Sequence, residues 1–185
     1  MSKVFVITGP SGVGKGTLIA ELLNRIPELE LSVSATTRQP RDGEQDGRDY
    51  HFLDGEEFAR RADAGDFLEF ATYSGNRYGT LRSEVERQLA AGHSVVLEIE
   101  VNGARQVRAA MPESVQIFIA PPEPATLRER LVGRGKDSQE AIDARLAVAA
   151  QELAAQDEFD YRVVNDELDR AVDELQRIVG AELDG

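Results

Sequence analysis

The chain has 185 residues, and its 21 Lys plus Arg against 34 Asp plus Glu give a net charge of −13 at pH 7. The absence of Cys excludes disulfides, thiolate metal sites and a cysteine nucleophile, and two His residues argue against a histidine metal cluster. Such an acidic chain is a poor candidate for non-specific binding to nucleic acids or anionic membranes, which requires a basic face, and no apolar run approaches the roughly 20 residues of a membrane span. We therefore expect one domain, in the cytoplasm, that binds neither nucleic acid nor membrane; the sequence leaves open whether it forms a homo-oligomer.

The first half of the chain begins with an apolar run at residues 3–8 that is typical of a β-strand, followed by a Gly-rich turn at 9–16. The apolar residues Leu18, Ile19, Leu22 and Ile26 then recur with helical spacing, which predicts an amphipathic helix over 15–26. Asp54 and Glu57 have the spacing of a capping box. The further predicted elements are strands at 31–34, 50–53 and 66–73 and helices at about 54–65 and 80–91.

The second half alternates regularly between strands and helices. Strands are predicted at 94–99, 115–120 and 161–164, and helices at about 103–110, 123–132, 138–156 and 168–179. Strands alternating with helices predict an α/β fold with a parallel sheet flanked by helices on both faces. Residues 31–78 interrupt this alternation with short strands and turns, which predicts a small inserted lobe of mixed α/β structure.

A phosphate-binding loop is predicted where the first strand meets the first helix. The run from Gly9 to Lys15 satisfies G-x-x-x-x-G-K between a strand and a helix, the context that supports a P-loop. Backbone N–H groups and Lys15 would contact the phosphates of a nucleotide. Gly16 stands where a Ser or Thr usually binds Mg²⁺, with Thr17 next, and because Gly-Lys-Gly-Thr is also similar to the loop of adenylate kinases, the motif leaves the substrate open. The candidate ATP-binding residues here are Gly9, Ser11, Gly12, Val13, Gly14, Lys15, Gly16 and Thr17.

A second segment is more specific. Ser32-Val-Ser-Ala-Thr-Thr-Arg38-Gln-Pro-Arg41 and the residues up to Tyr50 resemble the GMP-binding segment of guanylate kinases. The resemblance continues over essentially the whole chain, through Glu69, Ser74-Gly-Asn-Arg-Tyr-Gly-Thr80, Glu98-Ile-Glu100, Ala120-Pro-Pro122, Arg130-Leu-Val-Gly-Arg134-Gly and Val163-Val-Asn165. It implies a GMP-binding lobe at 34–80, a core formed by 1–33 and 81–185, and a helical lid at about 126–146.

The resemblance also implies which residues bind GMP. Arg38 and Arg41 have guanidinium groups that suit a phosphate, and Tyr50 and Tyr78 can donate to the same phosphate. Glu69 would accept hydrogen bonds from guanine N1–H and the 2-amino group, which adenine lacks. Glu100 and Thr80 stand where Asp and Ser are common, so their detailed contacts stay open. The full set is Ser34, Arg38, Arg41, Tyr50, Glu69, Tyr78, Thr80 and Glu100.

The ATP side of the implied site includes the lid. Arg134 and Arg145 match the lid arginines that act on the transferred phosphate, while Arg130 fits a ligand and a solvated side chain equally well. Asn165 is expected near the adenine. Mg²⁺ would accompany ATP, held through Thr17 or Glu98, although Glu98 could equally have a structural role. Lys15, Arg38, Arg134 and Arg145 are the predicted catalytic residues.

The implied reaction is ATP + GMP = ADP + GDP, in purine nucleotide metabolism. Phosphoryl transfer needs alignment and positive charge more than covalent chemistry, and the acceptor phosphate is already ionised, so no general base is required. Two alternatives stay open at this point. One is a kinase for another nucleoside monophosphate, indicated by Gly16-Thr17; the other is a binding module of the kind found in scaffold proteins, which keep this fold and lose catalysis.

Overall fold

The computed structural model describes residues 2–132 and 139–185. The strands are β1 (Val4–Thr8), β2 (Leu29–Leu31), β3 (Ala35–Thr36), β4 (His51–Phe52), β5 (Phe67–Tyr73), β6 (Asn76–Leu81), β7 (Ser94–Glu98), β8 (Val115–Ala120) and β9 (Tyr161–Val164). The helices are α1 (Lys15–Arg25), α2 (Gly55–Asp63), α3 (Arg82–Ala90), α4 (Val101–Ala110), α5 (Pro124–Val132), α6 (Gln139–Ala154) and α7 (Leu168–Asp184), with a short 3-10 helix at Gln156–Glu158.

The larger sheet is parallel and is covered on both faces. Within the described residues it has five strands in the order β2-β7-β1-β8-β9. Phe5 and Ile7 pack on one face with residues of α1 and α7, whereas Val4 and Val6 pack on the other with residues of α3 and α4. A strand buried on both faces reads as a continuous apolar run, which explains the sequence of β1 and confirms the predicted fold class.

A smaller sheet lies in the stretch between β2 and α3. In the part of the chain that the structure describes, its strand order is β4-β3-β6-β5, with β6 antiparallel to both neighbours. Its apolar cluster contains Phe58 of α2 stacked on Phe67 of β5, with ring centroids 4.5 Å apart. Asp54 caps α2, because its Oδ1 accepts a hydrogen bond of 2.7 Å from the Glu57 backbone N–H.

Three predicted elements were placed wrongly along the chain. Thr80 belongs to strand β6 and not to a helix, because residues 76–81 pair with β5 across a tight turn. The helix that follows, α3, begins at Arg82. The predicted strand at 31–34 lies earlier, at Leu29–Leu31, where it pairs with β7. Helix α4 begins at Val101 rather than Gly103.

No helix in the described ranges is both long and apolar enough to cross a bilayer.

Candidate active site

The loop after β1 has the backbone geometry of a phosphate cradle. Gly12 and Gly14 have φ of 85° and 97°, a region that favours glycine. A Cβ at Gly14 would lie 2.8 Å from Asn165 Nδ2, and one at Gly9 would lie 2.4 Å from the Ile119 carbonyl oxygen. These glycines are therefore required both for the turn and for close packing, and α1 begins directly after the loop at Lys15.

Lys15 is held against its own loop. Its Nζ donates to the Gly9 carbonyl oxygen at 2.5 Å and also approaches that of Pro10. Burial lowers the pKa of Lys15, and the nearby Glu98, Glu152 and Glu100 carboxylates act in the opposite direction. A cation that has lost much of its hydration and faces a glycine-rich loop is a strong partner for phosphate oxygens.

A cavity of about 760 Å³, which we call the P-loop cavity, opens over this loop. Thr17 and Glu98 both line it, and on the opposite side α6 contributes Arg145 and Glu152. Arg145 Nη2 donates to Ser11 Oγ at 2.9 Å, so a predicted lid arginine reaches the P-loop. Arg134 and the other residues at 133–138 lie outside the described residues, as does the side chain of Arg130.

Glu152 is a residue of this cavity that sequence reasoning missed. Desolvation raises its pKa to about 7, while Lys15 and a hydrogen bond from the Ser11 backbone N–H act in the opposite direction. The sequence signal was weak, because Glu152 is one of three carboxylates in a long, Ala-rich helix. Only the packing of α6 over the P-loop distinguishes it.

A second cavity of about 320 Å³, the base cavity, adjoins the first and is built around Glu69. This carboxylate is only 6% exposed, and its Oε1 accepts a 2.7 Å hydrogen bond from Thr80 Oγ1. Burial raises the pKa of Glu69, and the hydroxyl and backbone N–H of Thr80 oppose that shift. A buried carboxylate with so few donors favours a ligand that brings N–H groups.

The two cavities share one wall. Ser34, Tyr50, Tyr73, Glu98, Ile99 and Glu100 line both of them. Tyr78 and Gly103 line the base cavity, and a Cβ at Gly103 would lie 2.7 Å from Glu69 Oε2. Gly103 was not identified from the sequence, since a single glycine within a helix carries no signal of what packs against it. The arrangement places the cavity over the glycine-rich loop next to a pocket built around a buried carboxylate.

The predicted arginine pair lies in the loop after β3. Arg38 donates to both carboxylate oxygens of Glu44, at 2.8 and 3.0 Å, and its guanidinium lies 5.2 Å from the centre of the Tyr50 ring. Glu44 also accepts a 2.8 Å hydrogen bond from the Arg41 backbone N–H. Glu44 therefore holds this loop in shape, and its hydrogen bond to Arg38 raises the Arg38 pKa. The sequence signal that could have identified Glu44 is its position three residues after Arg41.

Asn165 contacts the P-loop rather than open space. It is buried, and its Nδ2 donates to the Val13 carbonyl oxygen at 2.7 Å. The amide therefore stabilises the P-loop through this hydrogen bond. The prediction placed Asn165 near an adenine and did not include this structural role. Whether it also contacts a base stays a prediction.

Comparison with known proteins agrees with this geometry. The guanylate kinase family model matches residues 1–182. A guanylate kinase of Synechocystis sp. is 55% identical over 180 residues, covering 97% of this chain and 94% of that protein, and one of Prochlorococcus marinus is 54% identical over 178 residues, covering 96% and 94%. The crystal structure of guanylate kinase from Anaplasma phagocytophilum superposes with a TM-score of 0.77 at 35% identity, covering 98% of this chain and 86% of that one. The chain belongs to the guanylate kinase family.

Proposed function

We propose that this chain transfers the terminal phosphate of ATP to GMP, giving ADP and GDP, with ATP in the P-loop cavity and GMP in the base cavity. The observation that carries the proposal is the buried Glu69 carboxylate, in a cavity that adjoins the P-loop cavity. Membership of the guanylate kinase family supports the same reaction. The cytoplasmic location stays a prediction from the sequence.

Recognition of guanine follows from the chemistry of Glu69. Guanine presents N1–H and a 2-amino group on one edge, and a carboxylate can accept from both. Adenine presents an unprotonated N1 at that position, so the buried carboxylate would face a lone pair and lose its hydrogen bonds. A site built to bind a polar group in this way can discriminate by roughly 10⁴-fold. Thr80 orients the carboxylate through its 2.7 Å hydrogen bond.

Phosphoryl transfer is assigned to Lys15 and to the four arginines predicted from the sequence. ATP and GMP together carry roughly six negative charges near pH 7. We assign the GMP phosphate to Arg38 and Arg41, with Tyr50 and Tyr78 as hydroxyl donors. Lys15 and Arg145 would contact the ATP phosphates, and Arg134 stays a predicted partner of the transferred group. In-line transfer then needs alignment and exclusion of water, and no basic side chain.

The residues at the junction also fit Mg²⁺. Magnesium is usually held by one or two carboxylates together with substrate phosphates and water, rather than by a protein cage. Thr17 and Glu98 line the P-loop cavity, as does Ser32, whose buried Oγ has no hydrogen-bond partner among the described residues. In the described ranges no three His, Cys, Asp or Glu side chains form a group that could hold a metal ion by themselves. We propose Thr17 or Glu98 as the protein contact; when bound, Mg²⁺ would neutralise charge on the ATP phosphates.

The test is an ADP-release assay with GMP, AMP, UMP and CMP as acceptors, applied to the unmodified protein and to Glu69→Gln. We expect turnover with GMP to exceed the others by orders of magnitude, and Glu69→Gln to lose most of that preference. Glu86→Gln, at an exposed position on α3, is the matched control and should leave the preference unchanged. Faster turnover with AMP than with GMP would refute the assignment of Glu69, and no ADP release with any acceptor would favour a binding module.

A further inference from the structure

Gln106 of α4 pairs with the backbone of β5 in the way that a neighbouring strand would. Its Nε2 donates to the Phe70 carbonyl oxygen at 3.1 Å, and its Oε1 accepts from the Phe70 backbone N–H at 3.1 Å. Strand β5 is at the edge of the small sheet, with β6 on its other side. One side-chain amide therefore occupies both backbone groups of an edge residue that immediately follows Glu69.

The strand needs such a contact at this point because its pairing with β6 is irregular. Phe67 pairs with Leu81 and Glu69 pairs with Thr80, so Leu68 is an extra residue in the ladder. Leu68 packs with the large-sheet cluster that includes Val4 and Val6, whereas Phe67 packs within the small sheet. A bulge of this kind bends the strand and interrupts the ladder. The direction of Glu69 is therefore not determined by regular strand pairing alone.

Helix α4 contacts Glu69 from a second position. Gly103 lies three residues before Gln106, on the same face of the helix, and its Cα is close enough to the Glu69 carboxylate that a Cβ would lie 2.7 Å from Oε2. The Gln106–Phe70 hydrogen bonds thus fix the separation between β5 and the helix face that forms the wall behind the carboxylate. The same helix begins after Glu100, another residue of the base cavity.

We infer that Gln106 is a positioning residue for base recognition: without touching substrate, its amide holds β5 at the distance from α4 that places the Glu69 carboxylate for guanine. This inference rests on the proposed function of Glu69. Because both hydrogen bonds lie at an exposed position, water can replace them when the amide is removed. Loss of Gln106 therefore disturbs the placement of Glu69 more than it disturbs folding.

The experiment uses Gln106→Met, which keeps the length of the side chain and removes both hydrogen bonds, and Gln106→Glu, which keeps only the acceptor. The readouts are kcat, KM for GMP, KM for ATP, the melting temperature, and the ratio of kcat/KM for GMP to that for inosine monophosphate, which has N1–H and lacks the 2-amino group. For Gln106→Met we expect a rise of about tenfold in KM for GMP, a lower GMP preference, and a KM for ATP within about twofold of the original. In Gln106→Glu a carboxylate oxygen would face the Phe70 carbonyl oxygen, which is also an acceptor, so this variant should lose at least as much as Gln106→Met.

Gln176→Met is the matched control, since Gln176 is also half-buried on a helix and accepts one hydrogen bond, from Arg25, away from both cavities. It should leave all the kinetic values unchanged. Equal changes in KM for GMP and ATP, or a lower melting temperature with unchanged KM for GMP, would overturn the positioning role.

Glu69→Gln separates the two proposals: if it abolishes the GMP preference while Gln106→Met does not alter it, only the inference about Gln106 is wrong. If Glu69→Gln retains the preference, the proposed function of Glu69 is wrong. Strong non-additivity in the double variant would support the coupling of the two residues.

Discussion

Replacing Gly103 by Ala tests whether the base cavity is shaped by the contact between α4 and Glu69. The new Cβ would lie 2.7 Å from Glu69 Oε2, about 0.7 Å closer than the 3.4 Å at which ordinary van der Waals contact begins. Glu69 cannot move away freely, because it is buried and bonded to Thr80. Either α4 retreats or the carboxylate rotates and weakens that hydrogen bond.

Gly180→Ala is the matched control for this change. Gly180 is also a helical glycine, in α7, and a Cβ there would have no heavy atom within 4 Å. An alanine in an open helical position stabilises by about 0.5–1 kcal/mol, through helix propensity and a less flexible unfolded chain. Gly103→Ala gains the same amount but also loses about 1–3 kcal/mol to overpacking. Its free energy of unfolding should therefore be about 1–3 kcal/mol lower than that of Gly180→Ala.

The assays are urea unfolding and steady-state kinetics. A displacement of nearly 1 Å at a recognition group can reduce catalysis by about 100-fold, so we expect kcat/KM for GMP to fall by roughly 10- to 100-fold in Gly103→Ala and to stay unchanged in Gly180→Ala. If both variants gain stability equally and both retain full activity with GMP, the contact does not shape the cavity and the reasoning fails.

Three further predictions concern charged residues. Lys15→Met should reduce ADP release by more than tenfold with the melting temperature retained; a smaller loss, under about 1.4 kcal/mol of barrier, would contradict its phosphate role. The pKa of Glu152 is raised from 4.5 to about 7 in the folded protein. Between these values the folded protein keeps a proton on Glu152 that the unfolded chain has released. The contribution of this group to the free energy of unfolding therefore falls as pH rises from about 4.5 through 7. Glu152→Gln should therefore gain stability relative to the unmodified protein as pH rises over that window, measured as urea midpoints from pH 5 to 8. A constant difference between the two proteins would show that folding does not raise the pKa of Glu152. Glu44→Ala removes the partner of Arg38, and we expect KM for GMP to rise several-fold while KM for ATP and the melting temperature change little; equal changes in both KM values would exclude a local role at the acceptor phosphate.

Most of the large sheet could be predicted from the sequence because its signals are local. The apolar run of β1, the helical spacing of Leu18 and Leu22, and the glycines before Lys15 each depend on neighbours in the chain. The errors occurred in both sheets: the misplaced strand at 31–34 belongs to the large sheet, and Thr80 lies in the small sheet, where strands are short and partly exposed. Thr80 lies in strand β6 rather than in the predicted helix because its pairing with Glu69 of β5 is a long-range contact that local sequence does not reveal.

The sequence by itself determined the α/β class and the P-loop, and its resemblance to guanylate kinases indicated the candidate residues for both nucleotides. Tertiary structure alone decided that Gly103 and Gln106 face β5, that Glu152 lies beside Lys15, and that Glu44 holds the arginine loop. The physical reason is that a P-loop is formed by consecutive residues whose backbone geometry follows from their identity. A buried carboxylate, in contrast, obtains its surroundings from elements distant in the chain, and their separation depends on how two sheets and a helix pack.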